Sequence, residues 1–187
     1  MLMLFFYKGQ KIGPMQLWDL KGICLAESWN EILEEKGVDA NLGVTFSVQE
    51  ETGGSGAQTA AFSAQPDEAI AVDVSFASAP SVSSEKYASL GKGTMIGIAP
   101  ALDYKISKTL EAIAKRESIP FQYEVMGGRT GTNCDEIQVS GKGVRTALLS
   151  VPLRNMHTAC EVCDLEDIES TARLMAEYIA ERSAENV

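Results

Sequence analysis

The sequence predicts an α/β fold: a three-layer sandwich in which helices cover a mainly parallel or mixed central sheet. Two observations carry that expectation. Apolar and β-branched runs of strand length alternate with segments whose apolar residues recur every three or four positions, the pattern of helices packed on a sheet. The chain of 187 residues, 45% hydrophobic and 22% charged, is long enough for one sizeable core and short for two. It contains no internal repeat and no linker-like stretch, so residues 1–187 are expected to form a single domain.

Each element follows in order. MLMLFFY, at residues 1–7, reads as a strand. It has no basic residues ahead of it and no small-residue cleavage site behind it, and it is too short to cross a bilayer. A chain that opens inside a core strand is expected to lack upstream sequence. Leu17, Leu20, Cys24, Trp29, Ile32 and Leu33 recur at helical spacing, with Gly37 as the C-terminal cap. A strand is expected over 44–48, then a glycine loop, a short alanine-rich helix near 57–63 and an apolar strand over 69–74. Residues 75–89 are rich in Ser, Ala and Pro and read as loop. A strand over 94–99 precedes a helix marked by Ile106, Leu110 and Ile113. Strands over 120–126 and 146–153 complete the sheet. The last helix carries Leu165, Ile168, Ala172, Met175 and Ile179 on one face, with Asp164 placed to cap it.

The charge balance narrows the function classes. A net charge of −10, with only 16 Lys and Arg scattered along the chain, argues against a nucleic-acid partner, which needs a basic face. No membrane partner is expected either, and a cytoplasmic protein is the default. The four cysteines, Cys24, Cys134, Cys160 and Cys163, read as reduced thiols rather than a disulfide framework.

In open α/β sheets function gathers outside the carboxyl ends of strands, so the polar residues there are the candidates. Glu50 and Glu51 follow the strand at 44–48. Neighbours in an extended segment point opposite ways, so one can bond a metal while the other handles a proton; the plainer alternative is a solvated acidic turn. Asp73 sits within the otherwise apolar AVDV, where an ionised carboxylate is costly to bury without a cation or donor. His157, the single histidine, follows the strand ending at Leu153. Taken one at a time these are ordinary residues. Taken jointly, one histidine with three carboxylates on strand ends is what a zinc, cobalt or manganese hydrolase needs.

The segments VQEETGGSGAQTA, EAIAVDV, LGKGTMI, GGRTGTNCDEIQVS and VPLRNMHTACEVCDLEDIE occur in that order. They resemble the catalytic half of the dinuclear-metal aminopeptidases of metallopeptidase family 42, typified by glutamyl, deblocking and tetrahedral aminopeptidases. The likeness runs from about residue 12 to the C-terminus. It implies a zinc-peptidase type of fold, akin to phosphorylase/hydrolase-like sandwiches, forming one catalytic-type domain truncated at its N-terminus. It implies hydrolysis of an N-terminal peptide bond at two divalent ions, zinc or cobalt, with manganese possible. Glu50 matches the general base, Glu51 a ligand of one metal, Asp73 a ligand of the other, and His157 the distal histidine ligand. WDLKGIC, at 18–24, matches more loosely and places Asp19 on the carboxylate that bridges the metals. There Leu20 and Lys21 depart from the family's Asn or Asp and Arg, and Gly22 and Ile23 are transposed.

The family's first metal histidine and its inserted subunit-pairing domain precede the bridging aspartate, where this chain has 18 residues and no histidine. The resemblance therefore implies a weakened second metal site. It also implies homo-oligomers, or association with a chain that supplies the missing elements. A catalytically impaired subunit acting through association is the alternative, favoured if MLMLFFY lies at an exposed sheet edge.

Three further motifs have two readings each. GGRTG at 127–131 resembles the family segment that lines the pocket for the first side chain, with Gly128, Arg129 and Thr130, where Arg129 would favour acidic residues; a surface turn is the other reading. GGSG at 53–56 lacks the residues of a nucleotide loop and is expected to let the backbone pass close to the metals. Cys160 and Cys163 have CxxC spacing without a second pair, which makes a structural zinc or redox role the lesser reading.

Overall fold

A computed structural model describes residues 2–6, 31–38, 40–79 and 87–185. Its elements are β1 (Leu2–Phe6), β2 (Leu42–Phe46), α1 (Ser55–Ala64), β3 (Glu68–Phe76), β4 (Thr94–Ile98), α2 (Tyr104–Arg116), β5 (Phe121–Val125), α3 (Cys134–Ile137), β6 (Arg145–Leu153) and α4 (Leu165–Glu185). The strands form one mixed sheet in the order β2-β1-β3-β6-β4-β5. β3 and β6 run parallel, as do β4 and β5, while β1 is antiparallel to both its neighbours and β4 is antiparallel to β6.

Alternation along the central strands divides the core into two layers. Ile70 and Val72 of β3 and Ala147 and Leu149 of β6 pack with Ile106, Leu110 and Ile113 of α2 and with Ala172, Met175 and Ile179 of α4. The opposite face carries Ala69 and Ala71 of β3 and Leu148 of β6, covered by Ala57 and Ala61 of α1 and by Cys134 and Ile137 of α3. This is the three-layer α/β sandwich that the alternating pattern predicts.

The caps behave as their residue types suggest. Asp103 accepts from the Lys105 and Ile106 amides at the start of α2, at 2.8 and 3.1 Å. Asp164 accepts from the Glu166 amide, 2.9 Å, ahead of α4. Residues 31–35 are helical, and Gly37 at φ 63° closes them with Gly37 N–H to Glu34 O, 3.0 Å, and Val38 N–H to Leu33 O, 3.0 Å, a Schellman end. The expected helix upstream of residue 31 lies outside the described residues.

One expectation changes. β1 lies between β2 and β3, so it is not the exposed edge that would by itself call for association; β2 and β5 flank the sheet. The helix α3 has no counterpart among the elements expected from the sequence, because four residues are too few to show a helical period.

Candidate active site

Asp73 shares the face of β3 that bears Ala69 and Ala71, and its cross-strand partner on β6 is Ser150. Its Oδ1 accepts from the Val74 amide, 2.8 Å. Burial, as the leading cause, pushes its carboxyl up from 3.8 to about 7; the Val74 N–H works the other way, and the charges of Glu50 and Glu124 add to the rise.

Glu50 and Glu51 sit in the turn between β2 and α1. Gln49 takes φ 60°, a region L-residues seldom enter, and the turn is closed by Gly54 N–H to Gln49 O, 2.9 Å, and Gly53 N–H to Glu50 O, 3.2 Å. The Ser55 hydroxyl donates to Gln49 Oε1 at 2.7 Å, fixing the side chain of the strained residue. Burial first, and the neighbouring Glu51 charge second, raise the Glu50 carboxyl above its ordinary value, the direction a general base near neutral pH requires.

His157 stands in a loop beyond β6 whose ends are tied by reciprocal backbone bonds between Arg154 and Val162, at 2.8 and 3.1 Å. At φ 62° it is again left-handed, and its amide donates to Glu161 Oε1 at 2.8 Å. Its Nδ1 lies 4.0 Å from Glu51 Oε1, and both side chains are largely exposed, 65% and 75%.

These parts meet in one cleft of ≈ 560 Å³, whose walls include Glu50, Glu51, Asp73 and His157. Asp19 lies outside the described residues. Of the GGRTG segment, Thr130 and Gly131 face the cleft whereas Gly128 and Arg129 are not among its walls. Arg129 turns instead to Asp135 Oδ2, 3.3 Å, and Glu136 Oε1, 2.7 Å. In the GGSG segment the glycines allow close packing. A Cβ at Gly56 would run into the Val48 backbone, and one at Gly54 into Glu136 Cγ, so these glycines let α1 close onto its own loop and onto α3. Cys160 and Cys163 are exposed free thiols, and Cys134 is a buried one, pushed up to about 12 by burial.

Sequence reasoning did not single out Glu124. It faces the cleft and accepts hydrogen bonds from the hydroxyls of Ser75 and of Ser150, the latter at 2.7 Å. The available signal was alternation: Gln122 and Glu124 are polar where Phe121, Tyr123 and Val125 are not. On an edge strand that pattern reads equally well as a solvated face.

Among the described residues no three His, Cys, Asp or Glu side chains converge as a ready coordination sphere. The donor types nonetheless fit a divalent ion. Imidazole and carboxylate suit zinc, cobalt and manganese. Two ligands at about 2.0–2.1 Å from one tetrahedral ion stand roughly 3.3 Å apart, so the 4.0 Å between His157 and Glu51 is a small rotamer change away for two exposed side chains.

Comparison with known proteins adds lineage to this geometry. The pattern of the M42 glutamyl aminopeptidase family matches residues 6–174. A lysyl aminopeptidase of Pyrococcus furiosus is 36% identical over 143 residues, covering 76% of this chain and 41% of the relative. The structure of aminopeptidase APDkam598 from Desulfurococcus kamchatkensis superposes with a TM-score of 0.77 at 32% identity, over 86% of this chain and 46% of that one. The TET1 peptidase of Pyrococcus horikoshii, which can assemble into a tetrahedron or a large octahedral shell, gives 0.65 at 25% identity, over 85% and 46%. The chain thus spans less than half the length of each of these proteins.

Proposed function

As the chain belongs to the M42 glutamyl aminopeptidase family, we propose that it is a metal-dependent aminopeptidase that removes N-terminal residues from peptides, built as one catalytic-type domain over 1–187. The observation that carries this reading is the meeting of the Glu50–Glu51 pair, Asp73 and His157 in a single cleft, although the pair, the aspartate and the histidine stand far apart in the chain.

Glu51 and His157 would hold one divalent ion and Asp73 the other, with Asp19 as the expected bridge between them. Such ions supply Lewis acidity, polarising the scissile carbonyl and making water acidic enough to be deprotonated near neutral pH. Glu50 takes the proton from the attacking water and delivers it to the departing amine. Its raised carboxyl suits both halves of that transfer, since a group poised near the working pH gives up a proton as readily as it takes one. Zinc, cobalt and manganese all suit the donor set. The names of the family and of its lysyl relative point to different N-terminal residues, so they leave the preferred side chain open.

Assembly from copies of this chain belongs to the same reading. The TET1 peptidase builds closed shells, and among the described residues β2 and β5 have each a partner on one side only, which leaves hydrogen-bonding edges for a neighbour.

The test is metal content and turnover of aminoacyl anilides by the purified chain with added zinc, cobalt or manganese, beside Glu50→Gln. The expected result is bound metal in both proteins and a kcat lower by about 10²- to 10⁴-fold in the variant. Turnover equal in the two would remove Glu50 from the chemistry, and metal-free protein under every condition would overturn the reading altogether.

A further inference from the structure

We propose that the cleft selects peptides with a basic N-terminal residue and that Glu124 is the specificity-determining group that receives the cationic side chain. The inference rests on the aminopeptidase reading above and deepens it. Once Glu51, Asp73 and His157 are assigned to metal and Glu50 to the proton, Glu124 remains as a carboxylate in the cleft wall without a task. It is held in place from both sides: the Ser75 hydroxyl donates to Oε1 and the Ser150 hydroxyl to Oε2, at 2.7 Å for the latter. A carboxylate held by two neutral donors has lone pairs to spare, so it is preorganised to accept an ammonium or guanidinium.

The surroundings suit a long aliphatic stem ending in a cation. Phe76, Met126 and Leu153 line the same cleft, and the methylenes of Lys or Arg pack on such surfaces while the head reaches a polar partner. Among the described residues no Lys or Arg lines the cleft. Arg129, which the sequence suggests as a receiver of acidic side chains, is 76% exposed and engaged with Asp135 and Glu136. An acidic N-terminal residue would therefore meet Glu124 and Glu161 with no Lys or Arg among the described wall residues to offset them, and like-charge juxtaposition is a strong means of rejection.

The test is equilibrium binding by titration calorimetry of L-lysinamide, L-norleucinamide and the α-amide of L-glutamate to the zinc-loaded full chain, as wild type at position 124, Glu124→Gln and Glu124→Asp, each carrying Glu50→Gln so that the amides are not hydrolysed during the titration. These ligands share the α-amine and differ in side-chain charge. The expected result is lysinamide bound at least tenfold tighter than norleucinamide and the glutamate amide weakest. Glu124→Gln should bring the lysinamide to norleucinamide ratio close to one, and Glu124→Asp should retain most of it. A wild-type ratio near one, or a ratio that survives Glu124→Gln, overturns the proposal while leaving the aminopeptidase reading intact, because norleucinamide still binds. Failure of all three amides to bind the metal-loaded chain counts against the aminopeptidase reading and takes the specificity proposal with it. If Glu124→Gln loses its thermal transition, the Glu124→Asp ratio and the wild-type ranking still decide.

Discussion

Asp73 is the residue whose chemistry depends most on what surrounds it. Burial lifts its carboxyl to about 7, whereas in the unfolded chain it titrates near the ordinary value of about 3.9. Between those two values the folded protein holds a proton that the unfolded chain has shed, so stability falls as pH rises through the window. The contribution is fully present below about pH 4 and lost by about pH 7, on the order of a few kcal/mol. Chelator-treated protein should accordingly show a urea midpoint that declines from pH 5 to pH 7.5 relative to Asp73→Asn, which removes the titration. Added zinc should restore stability at the upper end, where the ionised carboxylate gains a counter-charge. Parallel midpoints for the two proteins across this range would refute the burial argument. Glu50 shifts the same way for the same first cause.

At the scale of elements, the glycine loop between β2 and α1 sets the aim of the two glutamates. Gly56 lies so close to the Val48 backbone that a methyl group there must displace it, and the displaced segment is the one that carries Glu50 and Glu51. Gly56→Ala is expected to cost about 1–3 kcal/mol, the usual range for overpacking, seen as a lower melting temperature together with weaker metal binding in calorimetry. A variant that melts earlier yet binds metal as wild type would show that the loop's aim is set elsewhere. Most elements were legible because their cause is local. β3 and β6 are strands for their apolar, β-branched content; α2 and α4 are helices for their spacing and for Asp103 and Asp164 at their starts. What escaped was set by contacts. The short α3 packs Cys134 and Ile137 under the sheet, and β3 and β6 each run past the ends that periodicity marks, because their outer residues pair with one another across the ladder.

Over the whole molecule, one buried carboxylate ties the layers together. Glu68, at the start of β3 and 2% exposed, pairs with Arg145 of β6 at 2.6 Å and with Arg182 of α4 at 2.8 Å, and accepts from the Tyr178 hydroxyl at 2.8 Å. The same contact, with burial as the larger cause, pushes the Tyr178 hydroxyl up from its ordinary value. Removing Glu68 takes a shared buried acceptor from the Tyr178 hydroxyl, Arg182 and Arg145, at a cost of about 3–5 kcal/mol. Glu68→Ala is expected to lower the stability by that amount in urea, with α4 the first element to lose amide protection in hydrogen exchange. A loss under 1 kcal/mol would mean that the apolar layers alone hold α4 in place.

The sequence by itself determined the class of fold, the positions of nearly all the elements, and the residue types that the chemistry requires, because apolar period, capping residues and ordered motifs are local properties of the chain. Glu50, Glu51, Asp73 and His157 were readable as candidates for that reason. Tertiary structure alone decided the order β2-β1-β3-β6-β4-β5, the placing of β1 inside the sheet, and which side chains share the cleft. It turned Arg129 toward Asp135 and Glu136 and brought Glu124 across the sheet to Ser75 and Ser150. The reason is physical: a hydrogen bond between strands distant in sequence depends on register and on strand order, and neither is written in the residues that make the bond.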